Sequence, residues 1–333
     1  MNPFIIAEIG VNHDGSVNKA IALIDGAIMA GASAVKFQSF SAERLASKST
    51  PKVAYQIQRD SDRTHFEMLK SLELTFKDQE LLFEYCKQNG IEFLSTPYSL
   101  EDATFLNSLG VEKFKVASAD IVDIPLHELI SDFGKLTLVS TGMASAHEIK
   151  EVVDIYKEKS TPLVLLHTTS EYPASYVNAN LQKLTALKQH NTHAIGYSDH
   201  TSDSMCSTMA ISYGCTYFEK HLTIDKSDPG PDHSASLDLL EFKDYVSAIR
   251  KAFSAIGDMN APRSSMEEDM AKTSRKSLHF STDLKTGDVL LLSHLTLLRP
   301  GYGFLWSRRN EVIGKVLKRD VKKMEIIDPS DLG

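Results

Sequence analysis

Eight short apolar runs recur along the chain, at 4–9, 34–38, 92–97, 113–118, 136–141, 163–168, 194–200 and 216–223, and each ends in polar residues. Their near-continuous apolar character fits strands covered on both faces. Between most of them the apolar positions switch to a helical period. Segment 18–30, with Ala20, Ile21, Leu23, Ile24, Ala27 and Ile28, shows this most clearly, and 76–88, 145–157, 181–189, 205–213 and 239–256 behave alike. Gly31, Gly90, Gly110, Gly134 and Gly214 sit where helices would end. Strand–helix alternation of this kind predicts an α/β fold with a parallel sheet. Eight units, without a GxGxxG after the first strand, favour a closed (β/α)8 barrel over a doubly wound sheet.

Two stretches break the rhythm. Residues 41–75 insert a polar segment between the second and third strands, and a loop that long at the catalytic end of a barrel reads as a lid or binding loop. After the last barrel helix, Gly257-Asp-Met-Asn-Ala-Pro262 reads as the start of a linker. The expected organisation is a barrel over 1–260, a linker over 261–274 and a small β-rich domain over 275–333. That small domain carries an internal repeat, in which 283–295 matches 320–332 as Asp-x-Lys-x-x-acid-apolar-apolar-x-x-Ser-x-Leu. Two such units suggest pseudo-symmetry. About sixty residues are marginal alone, so docking onto the barrel or a second subunit is expected.

Composition narrows the class. A chain of 333 residues with 42% hydrophobic and 24% charged residues is ordinary for a globular protein. A net charge of −8 argues against nucleic acid or an anionic membrane as partner. No run approaches a membrane span, and no basic region precedes the first strand-like run, so neither an anchor nor a signal peptide is expected. Cys86, Cys206 and Cys215 lack metal or CxxC spacing and read as buried thiols of a cytoplasmic protein.

The strand ends carry the chemistry. Residues i and i+2 of a strand share a face, so Lys36 with Gln38, Ser198 with His200, and Glu219 with His221 can point inward as pairs, and Glu8 and Lys115 singly. Charged groups in apolar strands are costly without partners. Four of them on separate strands fit a site better than four unrelated ion pairs. Lys36, Lys115, Thr96, Ser118, Ser140 and Thr141 supply the ammonium groups and hydroxyls that a phosphate plus a carboxylate needs; taken singly, each hydroxyl is better explained by strand propensity or helix capping. His200 and His221 end adjacent strands and suit a divalent transition ion, with Asp199, Glu219 and Asp232 as available partners. His167 also ends a strand but reads as a packed or hydrogen-bonded histidine. The stiff loop 228–236 can hold Asp232 and Ser234 over the mouth. Arg299-Pro-Gly-Tyr-Gly303 is either a second stiff loop presenting Arg299 to an anion or a solvated turn.

On these residues the chain resembles the sialic acid synthase family. The matching segments include Ala7-Glu-Ile-Gly-Val-Asn-His-Asp-Gly15, Val35-Lys-Phe-Gln38, Leu94-Ser-Thr-Pro97, Phe114-Lys-Val-Ala-Ser118, Ser140-Thr-Gly-Met143, Leu166-His-Thr-Thr-Ser-Glu-Tyr-Pro173, Gly196-Tyr-Ser-Asp-His-Thr201, Glu219-Lys-His221, Gly230-Pro-Asp232 and Arg299-Pro-Gly301, in order along nearly the whole chain. The resemblance implies a TIM barrel followed by an antifreeze-like (SAF, β-clip) domain, in a domain-swapped homodimer. It implies condensation of phosphoenolpyruvate with an N-acetylated hexose, assisted by a divalent metal, Mn²⁺ ahead of Mg²⁺ or Co²⁺. His200 and His221 would hold the metal. Lys36, Thr96, Lys115, Ser118, Ser140 and Ser198 would bind phosphoenolpyruvate, with Glu8 near the reacting carbons. Gln38, Tyr172, Asp232 and a partner's Arg299 would hold the sugar. Ser170 and Arg275 stand where some members carry Asn and an aromatic residue. The loop sequence 230–236 leans to a 2,4-diacetamido-trideoxy hexose over N-acetylmannosamine. A Schiff-base aldolase using Lys115 or Lys36 and a non-catalytic carbohydrate-binding protein are the competing readings.

Overall fold

The computed structural model describes residues 2–52 and 62–333. Its chain forms two compact units, Met1–Gly257 and Asp258–Gly333. In the first, eight strands, β1 (Phe4–Gly10), β2 (Ala34–Ser39), β3 (Glu92–Pro97), β4 (Lys113–Val116), β5 (Leu136–Ser140), β6 (Leu163–His167), β7 (Ala194–Asp199) and β8 (Tyr217–His221), form one sheet in the order β3-β2-β1-β8-β7-β6-β5-β4. Every ladder is parallel, and β3 packs beside β4 to close the circle. This is the predicted (β/α)8 barrel.

The two-residue period of the strands sorts their side chains into two layers. On β1, Ile5, Ala7 and Ile9 face the helices and join the large outer core. Ile6 faces inward and meets Ala34, Leu94, Leu138, Val164 and Leu166 in the barrel's apolar floor. Glu8, two residues past Ile6, therefore points along the barrel interior toward its C-terminal end. Gly196 on β7 has no room for a side chain, because a Cβ there would lie 2.4 Å from the Tyr217 carbonyl of β8.

Local signals explain the helices. Ser16 caps Val17–Ala30, which ends on Gly31 in the left-handed region at φ 82°. Thr75 with Asp78, Ser145 with Glu148 and Asp238 with Glu241 form reciprocal capping boxes. Gly110 closes helix Leu100–Leu109, whose body lacks a clean apolar stripe in sequence, and Gly134 follows the Phe133 cap of helix Ile124–Asp132. Two boundaries differ from expectation. The fourth strand stops at Val116, and Ser118 opens a 3-10 turn, Ser118–Val122. The stretch read as linker contains a helix, Ser265–Ser274, nucleated by a Ser264–Glu267 capping box. In the insertion, Ala42–Leu45 and His65–Ser71 are helical. Phe40, Ala42, Met68, Leu69 and Leu72 pack with Val11 in a separate apolar cluster. Residues 53–61, part of the expected lid, lie outside the described residues.

The second unit pairs β9 (Ser277–Phe280) antiparallel to β10 (Leu295–Leu298) around Leu278, Phe280, Leu290, Val312, Leu317, Val321 and Ile327. Its repeat exchanges contacts reciprocally. Lys285 binds Asp320 while Lys322 binds Asp283, at 2.7 and 2.8 Å, and Leu284 and Val321 trade backbone hydrogen bonds at 3.1 and 3.0 Å. Each Asp also accepts a backbone N–H from the opposite copy, Thr286 or Lys323. That is the pseudo-symmetry the repeat suggested. Among the described residues, no helix is long and apolar enough to cross a membrane.

Leu138 is fully buried in the barrel floor. Replacing it with Ala is expected to cost about 2–5 kcal/mol, measured as a fall in the denaturant midpoint of the barrel transition.

Candidate active site

The C-terminal strand ends surround a cavity of about 670 Å³. Most candidate residues of the first unit line it: Glu8, Lys36, Gln38, Thr96, Lys115, Ser118, Ser140, Ser170, Tyr172, Ser198, His200, His221 and Asp232. Thr141, Asp199 and Ser234 do not, and the Thr141 hydroxyl instead donates to the Leu166 carbonyl at 3.1 Å. Arg299 belongs to the second unit. The insertion contributes Leu45, Ser47, Thr50, His65 and Met68 to the lining, so part of it borders the cavity as a binding loop would.

Four charged side chains form the base. Glu8, Lys36, Lys115 and Glu219 are each no more than 4% exposed. Lys36 Nζ lies 2.6 Å from Glu8 Oε2 and 3.9 Å from Glu219 Oε2, and Lys115 Nζ lies 4.0 Å from the same Glu219 oxygen. Hydroxyls complete the shell. Lys36 donates to Thr96 Oγ1 at 3.2 Å, Lys115 to Ser140 Oγ at 2.7 Å, and Ser198 Oγ to Glu219 Oε1 at 2.9 Å, while Gln38 donates to Glu8 Oε1 at 3.1 Å. Ser118 Oγ accepts from the Gly142 amide at 3.0 Å.

The electrostatics separate these groups. Burial, with Glu219 adding to it, pushes Glu8 up to about 7 despite Lys36. Burial also penalises Glu219, but Lys115, Lys36 and the Ser198 hydroxyl hold it down to about 2. Burial lowers Lys115 to about 8 against the attraction of Glu219. Burial works against the Lys36 ammonium too, yet Glu219 and Glu8 raise it overall. Glu219, shared by two ammonium groups, is thus firmly ionised, and Glu8, with only Lys36 beside it, titrates near neutral pH.

The second half of the cavity is the histidine pair. His200 and His221 rings are 5.5 Å apart, and Tyr172 stands 4.2 Å from the first and edge-on to the second at 5.9 Å. Burial depresses His200 to about 4. Burial, His200 and Lys36 keep His221 well below its usual range. His200 Nδ1 donates to the Thr169 carbonyl at 2.8 Å, which leaves the Nε2 lone pair free to ligate. His221 Nδ1 is buried without a hydrogen bond and lies 3.6 Å from Asp232 Oδ2. Two neutral imidazoles, an orphaned ring nitrogen and a carboxylate beside it make a donor set suited to a divalent ion.

The structure redirects two residues. Asp199 is not beside the histidines. It lies one position beyond Ser198, so it faces outward, where it binds the Thr201 amide and hydroxyl, Ser207 and Lys220. Glu219 belongs to the lysine half. His167 is a packed histidine, with Nε2 2.8 Å from the Ala179 carbonyl. Tyr98, Thr168 and Met143 also line the cavity. Thr168 ends a strand like the residues singled out, but nothing in the periodicity marks Tyr98 or Met143. A separate group, Asp14, Asp228 and His233, has metal-type spacing, but the Lys19 ammonium already binds both aspartates.

Comparison with known proteins shows the family. Residues 23–261 match the NeuB family and residues 275–333 the SAF domain. The chain is 38% identical over 327 residues to an N,N'-diacetyllegionaminic acid synthase of Campylobacter jejuni, covering 97% of this chain and 98% of that one. It is 39% identical over 327 residues to the synthase of the same name from Legionella pneumophila, covering 96% and 92%. A crystal structure of N-acetylneuraminic acid synthetase from Leptospira borgpetersenii, in complex with citrate, superposes with a TM-score of 0.71 at 32% identity, covering 81% of this chain and 90% of that one. The chain belongs to the NeuB family, the sialic acid synthase family, and is an enzyme of that synthase class.

Glu8 gives a test of the buried charges. Its carboxyl has a higher pKa folded than unfolded, so the native state holds the proton while the unfolded chain has lost it. Stability from this group is therefore full below about 4.5 and declines as pH rises to about 7. Between pH 5 and 8, wild type should lose stability relative to Glu8→Gln, by on the order of 3 kcal/mol, read from paired denaturation curves. A difference that does not vary with pH would contradict the assignment.

Proposed function

We propose that this NeuB-family enzyme condenses phosphoenolpyruvate with an N-acetylated hexose and water, giving a nine-carbon keto acid and inorganic phosphate. The observation that carries this is the single cavity in which a lysine–hydroxyl half adjoins a neutral histidine pair. The acceptor is proposed to be of the 2,4-diacetamido-trideoxy type, supported by the two diacetyllegionaminic acid synthases at 38% and 39% identity.

Each half has a task. Lys36 and Lys115, with Thr96, Ser118, Ser140 and Ser198, offer cations and donors to the phosphate and carboxylate of phosphoenolpyruvate. His200 and His221 would hold a divalent ion, Mn²⁺ ahead of Mg²⁺ or Co²⁺. When bound, the ion supplies Lewis acidity to the acceptor's aldehyde. Gln38, Tyr172 and Asp232, with Ser170, would orient the sugar so that C3 of phosphoenolpyruvate meets the aldehyde carbon. Positive charge then develops at C2, where Glu8 as carboxylate would stabilise it or take a proton from the incoming water. Water adds at C2 and phosphate leaves with cleavage of its C–O bond. Arg299 is proposed to reach the sugar of a partner's barrel in a domain-swapped homodimer.

One observation favours a second reading. A lysine lowered to about 8, as Lys115 is, suits a Schiff-base nucleophile. The two readings part cleanly. The synthase should release phosphate from phosphoenolpyruvate only with hexose present, lose activity to chelator and regain it with Mn²⁺. His200→Ala should cost at least about a hundredfold in kcat/KM. Borohydride trapping of substrate on Lys115, with chelator-resistant turnover, would instead establish the aldolase.

The dimer has its own test. Mixed and reassorted His200→Ala and Arg299→Ala chains should regain roughly a quarter of the wild-type sites, as random pairing in a two-fold dimer gives. No recovery would mean that Arg299 does not act across subunits.

A further inference from the structure

Asp232 reaches the cavity on a loop that leaves the barrel and returns to the same point. The loop opens beside Leu222 and closes at Leu237, which pair with each other. Thr223 N–H donates to the Leu237 carbonyl at 2.9 Å, and Leu237 N–H to the His221 carbonyl at 3.0 Å. Asp232 lies near the far end, 3.6 Å from His221. Its own 3-10 turn, His233–Ala235, is too short to fix it.

Two buried hydrogen-bond chains from the turn after β1 hold this loop. In the first, Asn12 Nδ2–H₂ donates both to the Leu222 carbonyl and to Ser236 Oγ, each at 2.9 Å. Ser236 Oγ–H in turn donates to the Asp232 carbonyl at 2.7 Å. In the second, the His233 imidazole is gripped at both nitrogens, by Thr223 Oγ1 at 2.7 Å and Asp14 Oδ1 at 3.1 Å. Asn12, Thr223 and His233 are completely buried, and Ser236 is 1% exposed. The backbone at Gly230 passes close to the imidazole, where a Cβ would come within 2.7 Å of the ring. None of these side chains lines the cavity. Buried amides and imidazoles with this many directed bonds are costly to misplace, because each displacement leaves a desolvated group unpaired.

We infer that Asn12 and His233 are positioning residues for acceptor binding, which set the Asp232 carboxylate against the sugar through the backbone of the 223–236 loop. This deepens the synthase reading and rests on it. The same turn extends from the strand that carries Glu8, and the Leu222 N–H donates to the Glu8 carbonyl at 2.8 Å, so the loop bearing Asp232 is anchored to that strand.

The experiment compares Asn12→Ala, Ser236→Ala, Asp232→Ala and the Asn12→Ala/Asp232→Ala double variant. Steady-state phosphate release is measured with phosphoenolpyruvate, Mn²⁺ and a 2,4-diacetamido-trideoxy hexose. Hydrogen–deuterium exchange is measured on each protein without substrate. Asn12→Ala should raise the acceptor KM about tenfold or more, while the phosphoenolpyruvate KM stays within about twofold. In the Asp232→Ala background the Asn12 change should add almost nothing. Ser236→Ala, which removes one hydroxyl from the same chain and endangers folding least, should shift the acceptor KM in the same direction. Exchange should rise in residues 223–236 and not across the barrel strands. Equal losses for both substrates, or full additivity with Asp232→Ala, would overturn the inference. If wild type turns over no hexose, the synthase reading falls instead. The exchange data then still decide the latch, since an unprotected loop in Asn12→Ala upholds it and an unchanged loop removes it.

Discussion

The barrel interior must accommodate four ionisable side chains at one level, and much of the site depends on how it does so. Glu8, Lys36, Lys115 and Glu219 come from four different strands and have almost no contact with water. Isolated, any one of them would carry a desolvation penalty of several kcal/mol. Together they offset one another unequally. Glu219 is shared by both lysines and stays ionised, whereas Glu8 has only Lys36 close by and keeps much of its proton. Below this level the interior is apolar, with aliphatic side chains from Ile6 to Leu166 packed against Phe4 and Tyr217. The charged layer is therefore the boundary between the part of the barrel that stabilises the fold and the part open to ligands.

Much of this is legible in the chain because strand periodicity does two things at once. It identifies the strands, and it assigns each residue to the core-facing or helix-facing side. Ser198 and His200 point inward, as the alternation requires, and the same rule sends Asp199 outward to Thr201, Ser207 and Lys220. Considering Asp199 as a partner of the histidines set proximity in sequence above that alternation. The rule weakens where strands end. Ser118 lies beyond Val116 on a 3-10 turn, so its presence in the cavity comes from the turn and not from the pleat.

What the chain does not disclose depends on contacts distant in sequence. Asn12 meets Ser236 across 224 positions; both lie in segments that stand out in the sequence, but nothing local pairs them. Met143, at φ 64°, reaches the mouth from a strained turn after β5. The helix at Ser265–Ser274 is different, since its Ser264–Glu267 box stands in the sequence but is masked by the polar run Glu267-Glu-Asp269, which reads as linker. In the second unit, by contrast, a short repeat is enough, because duplicated Asp and Lys positions leave each copy's partner in the other.

The proposed role of the histidine pair as metal ligands has a consequence for how an ion would be acquired. Metal binding to imidazole ordinarily competes with protons, so its affinity falls as solutions become mildly acidic. Burial has already stripped that competitor from His200 and His221. A cation binding there would displace no proton from either ring at neutral pH. Proton competition at the proposed site would then pass from the imidazoles to the neighbouring Asp232 carboxyl, which burial raises to about 6.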